Sequence, residues 1–338
     1  VQPVQKLQDL EIIQEVMNNT PVTYNNLQVL QYDPTRTLTL RTAFVKDMNR
    51  RFVKLTRVIT KAIVEDDCFG LGTSTYAELN SPGYLAFSNL PLDQKIEAFM
   101  QWLQTQEDRE LLERPVIWGA AGAVVTPWTN KYISSGYEQG VIRARQELKK
   151  GGFVLPTIAD AGGIEAVMLN VTHLERVAYM FSKTFSELEG ITSQMNTQIS
   201  RILGQGLIDG DSMHNLARKL VATINGTGMG ELGITDSLGR FIPAYRRAEM
   251  LARTEIIRAH HLANIAEYKS WGALGVTVIA EWSTAGDDRV CVECASYHGN
   301  RYTLAAIEHA IPVHPNCRCI AIPIDKRSVN QSEIRDQF

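Results

Sequence analysis

Cysteine is nearly absent from the first 290 residues of this 338-residue chain, where Cys68 stands alone. Long apolar runs are missing as well. The longest, residues 115–125, holds two glycines and only eleven residues, well short of the ~20 that a membrane-spanning helix needs. No membrane partner is expected. Neither sign of charge dominates, and a formal net charge of −3 gives no global pull toward nucleic acid. The opening Val1-Gln-Pro-Val-Gln-Lys6 lacks the basic-then-apolar pattern of a secretory signal. The expected place of synthesis is therefore a reducing cytoplasm, where disulfides are rare. Enzyme signatures are missing too. There is no H-E-x-x-H pair, no G-x-G-x-x-G and no Walker loop. Nor does an H-x-E precede the C-x-x-C, as it would in a nucleotide deaminase. No catalytic residue is assigned, and the chain is read as a structural protein.

What the chain does have is a late cluster of thiols. Cys291, Cys294, Cys317 and Cys319 fall within 29 positions, with His314 three residues ahead of Cys317. A C-x-x-C turn sets two thiolates on one side of a tight loop. In Cys317-Arg318-Cys319 the outer residues of an extended segment share a face. The preferred reading is one structural zinc held by Cys291, Cys294, Cys317 and Cys319, with His314 as alternate ligand. Two disulfides, or free thiols, are the alternatives. The surrounding unit, residues 272–324, reads as a small α+β module with strands near 276–282 and 319–324. Units of that size commonly need a metal or disulfide staple.

Upstream the pattern is helical. Between Arg36 and Val64 the apolar residues Phe44, Met48, Phe52, Leu55, Ile59 and Ile63 recur every three or four positions, the mark of an amphipathic helix. Its polar face carries Arg41, Lys46, Arg50, Arg51, Lys54, Arg57 and Lys61, with Asp47 the lone acid. That face suits non-specific contact with DNA phosphates or an acidic partner, or else it is a solvated face balanced by acids folded nearby. Further helices are expected over 93–112, from Pro127 to Lys150 with Tyr132, Gly136 and Gly140 on one face, and from Ile164 to Leu203. The last carries apolar residues at an average spacing of 3.5, the period of a coiled-coil seam, and should end at Gly204-Gln205-Gly206. A glycine-rich loop is expected over 225–236. A helix from Tyr245 to Trp271 then places Ala248, Ala252, Glu255, Ala259, Leu262 and Ala266 on one stripe. A carboxylate in that stripe is costly unless paired. Glu255, with Arg253 and Thr254, could be catalytic, or could accept hydrogen bonds from the backbone of the cysteine loops. Asp287, Asp288 and Arg289 read as a turn with a local ion pair.

These elements define a mainly α protein. A helical N-terminal region with a long coiled-coil-like helix precedes the small cysteine-rich α+β module. The divisions expected are an N-terminal arm (1–35), a helical region (36–158), a long-helix core (159–271), the cysteine module (272–324) and a polar tail (325–338).

Several strings are more specific than periodicity. Ala252-Arg253-Thr254-Glu255, Asn264 and Tyr268 precede Glu281-Trp-Ser-Thr284-Ala-Gly-Asp287-Asp-Arg289-Val-Cys291, then Gly299-Asn-Arg-Tyr302 and Pro312-Val-His314. Together, over roughly residues 160–325, they resemble the Mu F-like domain of tailed-phage minor head proteins, the portal-associated head-morphogenesis family. The resemblance implies a virion component bound to the portal inside the head, with other head proteins and packaged DNA as further partners. It would assist head morphogenesis, DNA packaging or delivery. The rivals are a phage-carried enzyme, ADP-ribosyltransferase-like or metal-dependent, and a general DNA-binding structural protein.

Overall fold

A computed structural model of the chain describes residues 33–72, 87–113, 117–118, 123–124, 127–225, 240–275 and 277–338. The expected N-terminal arm and the glycine-rich loop fall almost wholly outside the described residues. Helix α1 spans Leu38–Thr60 and widens into a π-helical turn to Glu65; α2 spans Leu92–Glu107 and ends the same way. Strands β1 (Ile117–Trp118) and β2 (Ala123–Val124) form a short antiparallel pair. Then come α3 (Asn130–Lys150), α4 (Ile164–Met168), α5 (Val171–Ile208), α6 (Met213–Asn225) and α7 (Ala244–Gly272).

Helix α1 buries the stripe that its spacing marked: Phe44, Met48, Phe52, Leu55 and Ile59 are all inside. Phe44 stacks on Tyr132 of α3, with ring centroids 4.5 Å apart and planes 9° apart. The centre of the bundle is α7, which packs against α1, α3, α5 and α6. A helix buried around its whole circumference normally reads as apolar throughout. This one buries Arg247, Glu249, Thr254, Glu255, His260, His261, Asn264 and Glu267 as well. Its approach to α3 depends on two glycines. Gly136 faces Ile256, and Gly140 faces the His260 carbonyl and Ala263, so the glycine face of α3 takes its partner from the same chain.

The long helix differs from expectation in three ways. Its start is Val171 rather than Ile164, because Asn170 adopts an extended backbone and its side chain accepts the N–H of Thr172, a standard N-cap. It also runs through Gly204 and Gly206 to Ile208. Gly206 is buried close to Leu216 of α6 and serves packing, not termination. Finally, the buried set from His173 to Gly206 takes nine steps over 33 residues, about 3.7 each, nearer a straight helix than a 3.5 seam. The reason is that α5 meets several helices in turn, α2, α3, α6 and α7, so no single long partner imposes a supercoil.

After α7 the chain forms a four-stranded mixed sheet of β3 (Val278–Ser283), β4 (Arg301–Tyr302), β5 (Ile320–Asp325) and β6 (Ile334–Arg335), in the order β5-β3-β4-β6. The β3–β5 pair is antiparallel, with Trp282 opposite Ala321. Two short helices, α8 (Val292–Tyr297) and α9 (Leu304–Ile307), connect them. The sheet does not close its core alone. Trp282, Tyr302, Ile307 and Ala321 share one cluster with Ala144 and Leu148 of α3 and with Ile257, Ile265 and Tyr268 of α7. The module is therefore completed by the helical region.

The expected polar tail is also corrected. Residues 334–335 add a strand parallel to β4, and Phe338 stacks on Trp282 at 5.4 Å with the planes 5° apart. One terminal aromatic and two sheet residues dock the end of the segment: Phe338 stays about half exposed but lays its ring against the buried Trp282 and Tyr302.

Candidate functional site

The two cysteine segments converge at the edge of the sheet. Cys291 is the N-cap of α8, in extended conformation, and its sulfur accepts the backbone N–H of Cys294 at 3.3 Å. The C-x-x-C therefore opens a short helix, with Cys294 buried beneath it. The second segment is shaped by Asn316, whose φ of 62° lies in the left-handed region. Asparagine tolerates that region better than most side chains. The resulting bend aims the Asn316 N–H at Thr254 Oγ1 on α7, 3.1 Å away. Thr254 thus does the work anticipated for Glu255. The Glu255 carboxylate, one residue on, turns instead to Arg258 at 3.1 Å and Lys183 at 3.4 Å.

His314 Nε2 lies 3.2 Å from Cys291 Sγ and 3.1 Å from Cys294 Sγ. Its Nδ1 sits 2.9 Å from the Pro315 carbonyl, so that nitrogen donates and Nε2 keeps its lone pair toward the sulfurs. Cys294 Sγ is 3.9 Å from Cys317 Sγ, too far for a disulfide, and all five cysteines are free. Two triads of donor atoms share Cys294: Cys291–Cys294–His314 and Cys294–Cys317–Cys319.

The electrostatics are uneven across the cluster. The Cys317 thiol is drawn down to about 5 because Cys319 hydrogen-bonds to its sulfur. Burial pushes Cys294 up to about 12, and Cys319 is raised by that same bond to Cys317 and by burial. Cys291 is lowered, chiefly by the Cys294 N–H. Burial opposes the charge on His314, but the Pro315 carbonyl and the neighbouring sulfurs outweigh it and raise its pKa. Cys291 and Cys317 are thus the sulfurs that carry negative charge more readily, and Cys294 and Cys319 the ones that hold their protons.

One clamp was not legible in the sequence. Asp287 is not simply half of a local turn pair with Arg289. Its carboxylate takes both arms of Arg318 at 2.6 Å, while Arg289 stays 3.5 Å away. Arg318, sitting between Cys317 and Cys319, thereby ties the two cysteine segments together and holds the Asp287 pKa down at about 2. Bidentate Arg–carboxylate pairs are the stronger kind of hydrogen-bonded ion pair. Arg318→Ala should cost about 3 kcal/mol, the lower end of the range for breaking a buried pair, because Asp287 is nearly inaccessible. Chemical denaturation of the variant checks this, and a loss under ~0.5 kcal/mol, the ordinary surface range, would show that the clamp contributes nothing.

The other candidates lie elsewhere. Along α1, Arg41 pairs with Asp33, Arg50 with Asp47, Arg51 with Glu113, Lys54 with Glu110 and Lys61 with Asp66. The expected basic face is therefore largely balanced within the chain. Lys46 and Arg57 are exposed, with no acid paired to either among the described residues. Arg253 is partly exposed and lies 3.9 Å from Glu249. A second network was missed altogether. Glu267 accepts from Arg145 and Trp271 and meets His173, which in turn meets Tyr137. Burial opposes the Glu267 charge, but these partners outweigh it and lower its pKa. Its members are spread from α3 to α7, and only Glu267 and Trp271, four apart on α7, are joined by local spacing.

An α-helical bundle capped by a cysteine- and histidine-linked α+β module is thus the class of protein. Residues 197–322, a little over a third of the chain, match the family of phage Mu protein F like proteins. The matched span begins within α5 and ends in β5, so it takes in α7, both cysteine segments and the Asp287–Arg318 clamp. The likeness of this segment is therefore to a family of phage proteins. No curated protein and no solved structure matches the chain. Among the described residues, no helix is long and apolar enough to cross a membrane.

Proposed function

We propose that the protein is a minor head protein of a tailed phage that sits at the portal inside the head and assists head morphogenesis, DNA packaging or delivery. The observation that carries this reading is the family match, which covers the cysteine segments and the helix they are bonded to. In this reading the module is a rigid docking unit, and a structural zinc holds its two cysteine segments.

The donor set fits such an ion. Zinc–sulfur bonds of about 2.3 Å in a tetrahedron put ligand sulfurs about 3.8 Å apart, and Cys294 and Cys317 are 3.9 Å apart. The Pro315 carbonyl orients His314 in the manner of an outer-shell partner. Cys291, Cys294, His314 and Cys317 are one candidate set, in which Cys317, grouped with Cys294 and Cys319 in the second triad, must move toward Cys291 and His314 to complete it. Four thiolates, with His314 outside, is the other arrangement the cluster allows.

Affinity purification of the tagged chain from infected cells tests the placement: portal protein should co-purify, and its absence from intact heads and lysates alike would end the proposal. Protein purified under reducing conditions should carry about one zinc per chain, and chelation should unfold the module first. Metal-free protein whose stability is unchanged by serine at Cys291 and Cys294 would end the zinc reading while leaving the portal reading intact.

A further inference from the structure

A cavity of about 440 Å³ opens between α5, α7 and the Pro312–Pro315 segment, within the usual size of small-ligand sites. Ile191, Met250 and Leu251 supply apolar wall. Two acids also line it, Glu187 and Glu255. They are met by two cations, Lys183 bonding both and Arg258 bonding Glu255. One charge is left over. Arg247 lines the same cavity yet is only 7 % exposed. Its Nη1 donates to Gln194 Oε1, while its Nε and Nη2 have no hydrogen-bond partner. No acid pairs with it among the described residues, and burial lowers its pKa. Leaving a buried guanidinium edge unpaired is costly. The Nε and Nη2 groups form the fork that matches the two oxygens of a carboxylate.

We propose that this cavity captures the C-terminal carboxylate of a partner protein whose last residue is apolar, with Arg247 as the receptor. A chain terminus brings one negative charge and an apolar side chain from a single backbone position. That suits one spare arginine beside Ile191, Met250 and Leu251. A polyanion such as DNA would bring more charge than one arginine answers, against Glu187 and Glu255. Met250, unbranched and adaptable, is the wall residue best able to move and uncover the guanidinium edge. The proposal goes beyond the phage-head reading and does not depend on it.

N-acetyl-leucine and N-acetyl-leucinamide differ only in the carboxylate and can be titrated into the full chain labelled with ¹⁵N-arginine. The acid should shift the Arg247 Nε–H resonance and bind about tenfold more tightly than the amide, the size of effect a charge-assisted pair supplies. Arg247→Lys keeps the cation without the fork, and should cut that preference to about threefold or less. Arg247→Met should remove it; should that variant fail to fold, the lysine variant decides. Equal binding of acid and amide, or a preference that survives in Arg247→Lys, overturns the proposal. Inorganic phosphate binding more tightly at Arg247 than N-acetyl-leucine would overturn it too, in favour of a phosphate site.

Discussion

Gly140→Ala is expected to destabilise the protein by about 2–3 kcal/mol, the reverse of what alanine usually does in a helix. Replacing an interior helical glycine ordinarily gains up to about 1 kcal/mol, because the unfolded chain loses freedom. At Gly140 the added methyl would fall inside contact distance of the His260 carbonyl oxygen and 2.6 Å from the Ala263 Cβ. Neither obstacle is the tip of a flexible side chain; one is backbone of α7 and the other is attached directly to it. The two helices must therefore separate, and overpacking of this kind costs about 1–3 kcal/mol, occasionally more. Separation would also strain the second core, since Ala144 and Leu148 of α3 close the floor of the cysteine module. Gly190→Ala provides the internal contrast. It lies on the exposed side of α5 with nothing within 4 Å of the new methyl, and should stabilise by about 0.5–1 kcal/mol. Denaturant midpoints at unchanged slope would measure both. A Gly140 variant as stable as the parent would mean that α3 and α7 approach less closely than described.

Stability should also fall steeply between pH 6.5 and 4, with His260 and His261 as the principal cause. Both rings are essentially inaccessible. Burial pulls His260 down to about 3, with Arg143 adding to the effect. Burial pulls His261 down to about 4, against the opposing hydrogen bond to the Ile307 carbonyl. Folded values below the unfolded one mean that the unfolded chain takes up protons first as pH drops. Stability is therefore greatest above about 6.5 and is lost on acidification, by up to about 1.4 kcal/mol per pH unit for each histidine. Two such groups acting together approach the whole stability of an ordinary domain within two or three pH units. Glu255 works in the opposite direction, since burial raises its pKa and the folded state accepts its proton early. The Asp287–Arg318 clamp titrates in a lower window, as pH falls toward about 2. His261→Gln, which can still donate to Ile307, should remove about half of the slope between pH 6.5 and 4.5. An unchanged slope in both His261→Gln and His260→Gln would assign the acid lability to other groups.

Adjacent histidines on a helix point about 100° apart, and the structure uses that divergence. His260 turns toward Asn264, and His261 reaches the carbonyl of Ile307 below the sheet. The sequence thus excluded a shared site for them, but could not reveal that both would be buried without charge.

What the sequence determined by itself was local and periodic. The stripe from Phe44 to Ile59, the glycine face of α3, the helical bounds of α7 and the strands flanking the cysteines all follow from 3.6- and 2-residue repeats and from turn residues. Those are properties of neighbouring positions and survive without knowledge of the fold. The density of Cys291, Cys294, Cys317 and Cys319 marked the site for the same reason. Tertiary structure alone decided which atoms meet. Phe338 stacks on Trp282, 56 positions away; Thr254 takes a cysteine-loop N–H, that of Asn316, where Glu255 was expected to act; Asp287 keeps its turn contacts to Arg289 and adds the shorter pair to Arg318. In each case the contact joins positions far apart in the chain, which no local spacing marks. A buried pair is screened less by water and holds its partners in place, and no spacing along the chain records which side chains folding will bring out of water together.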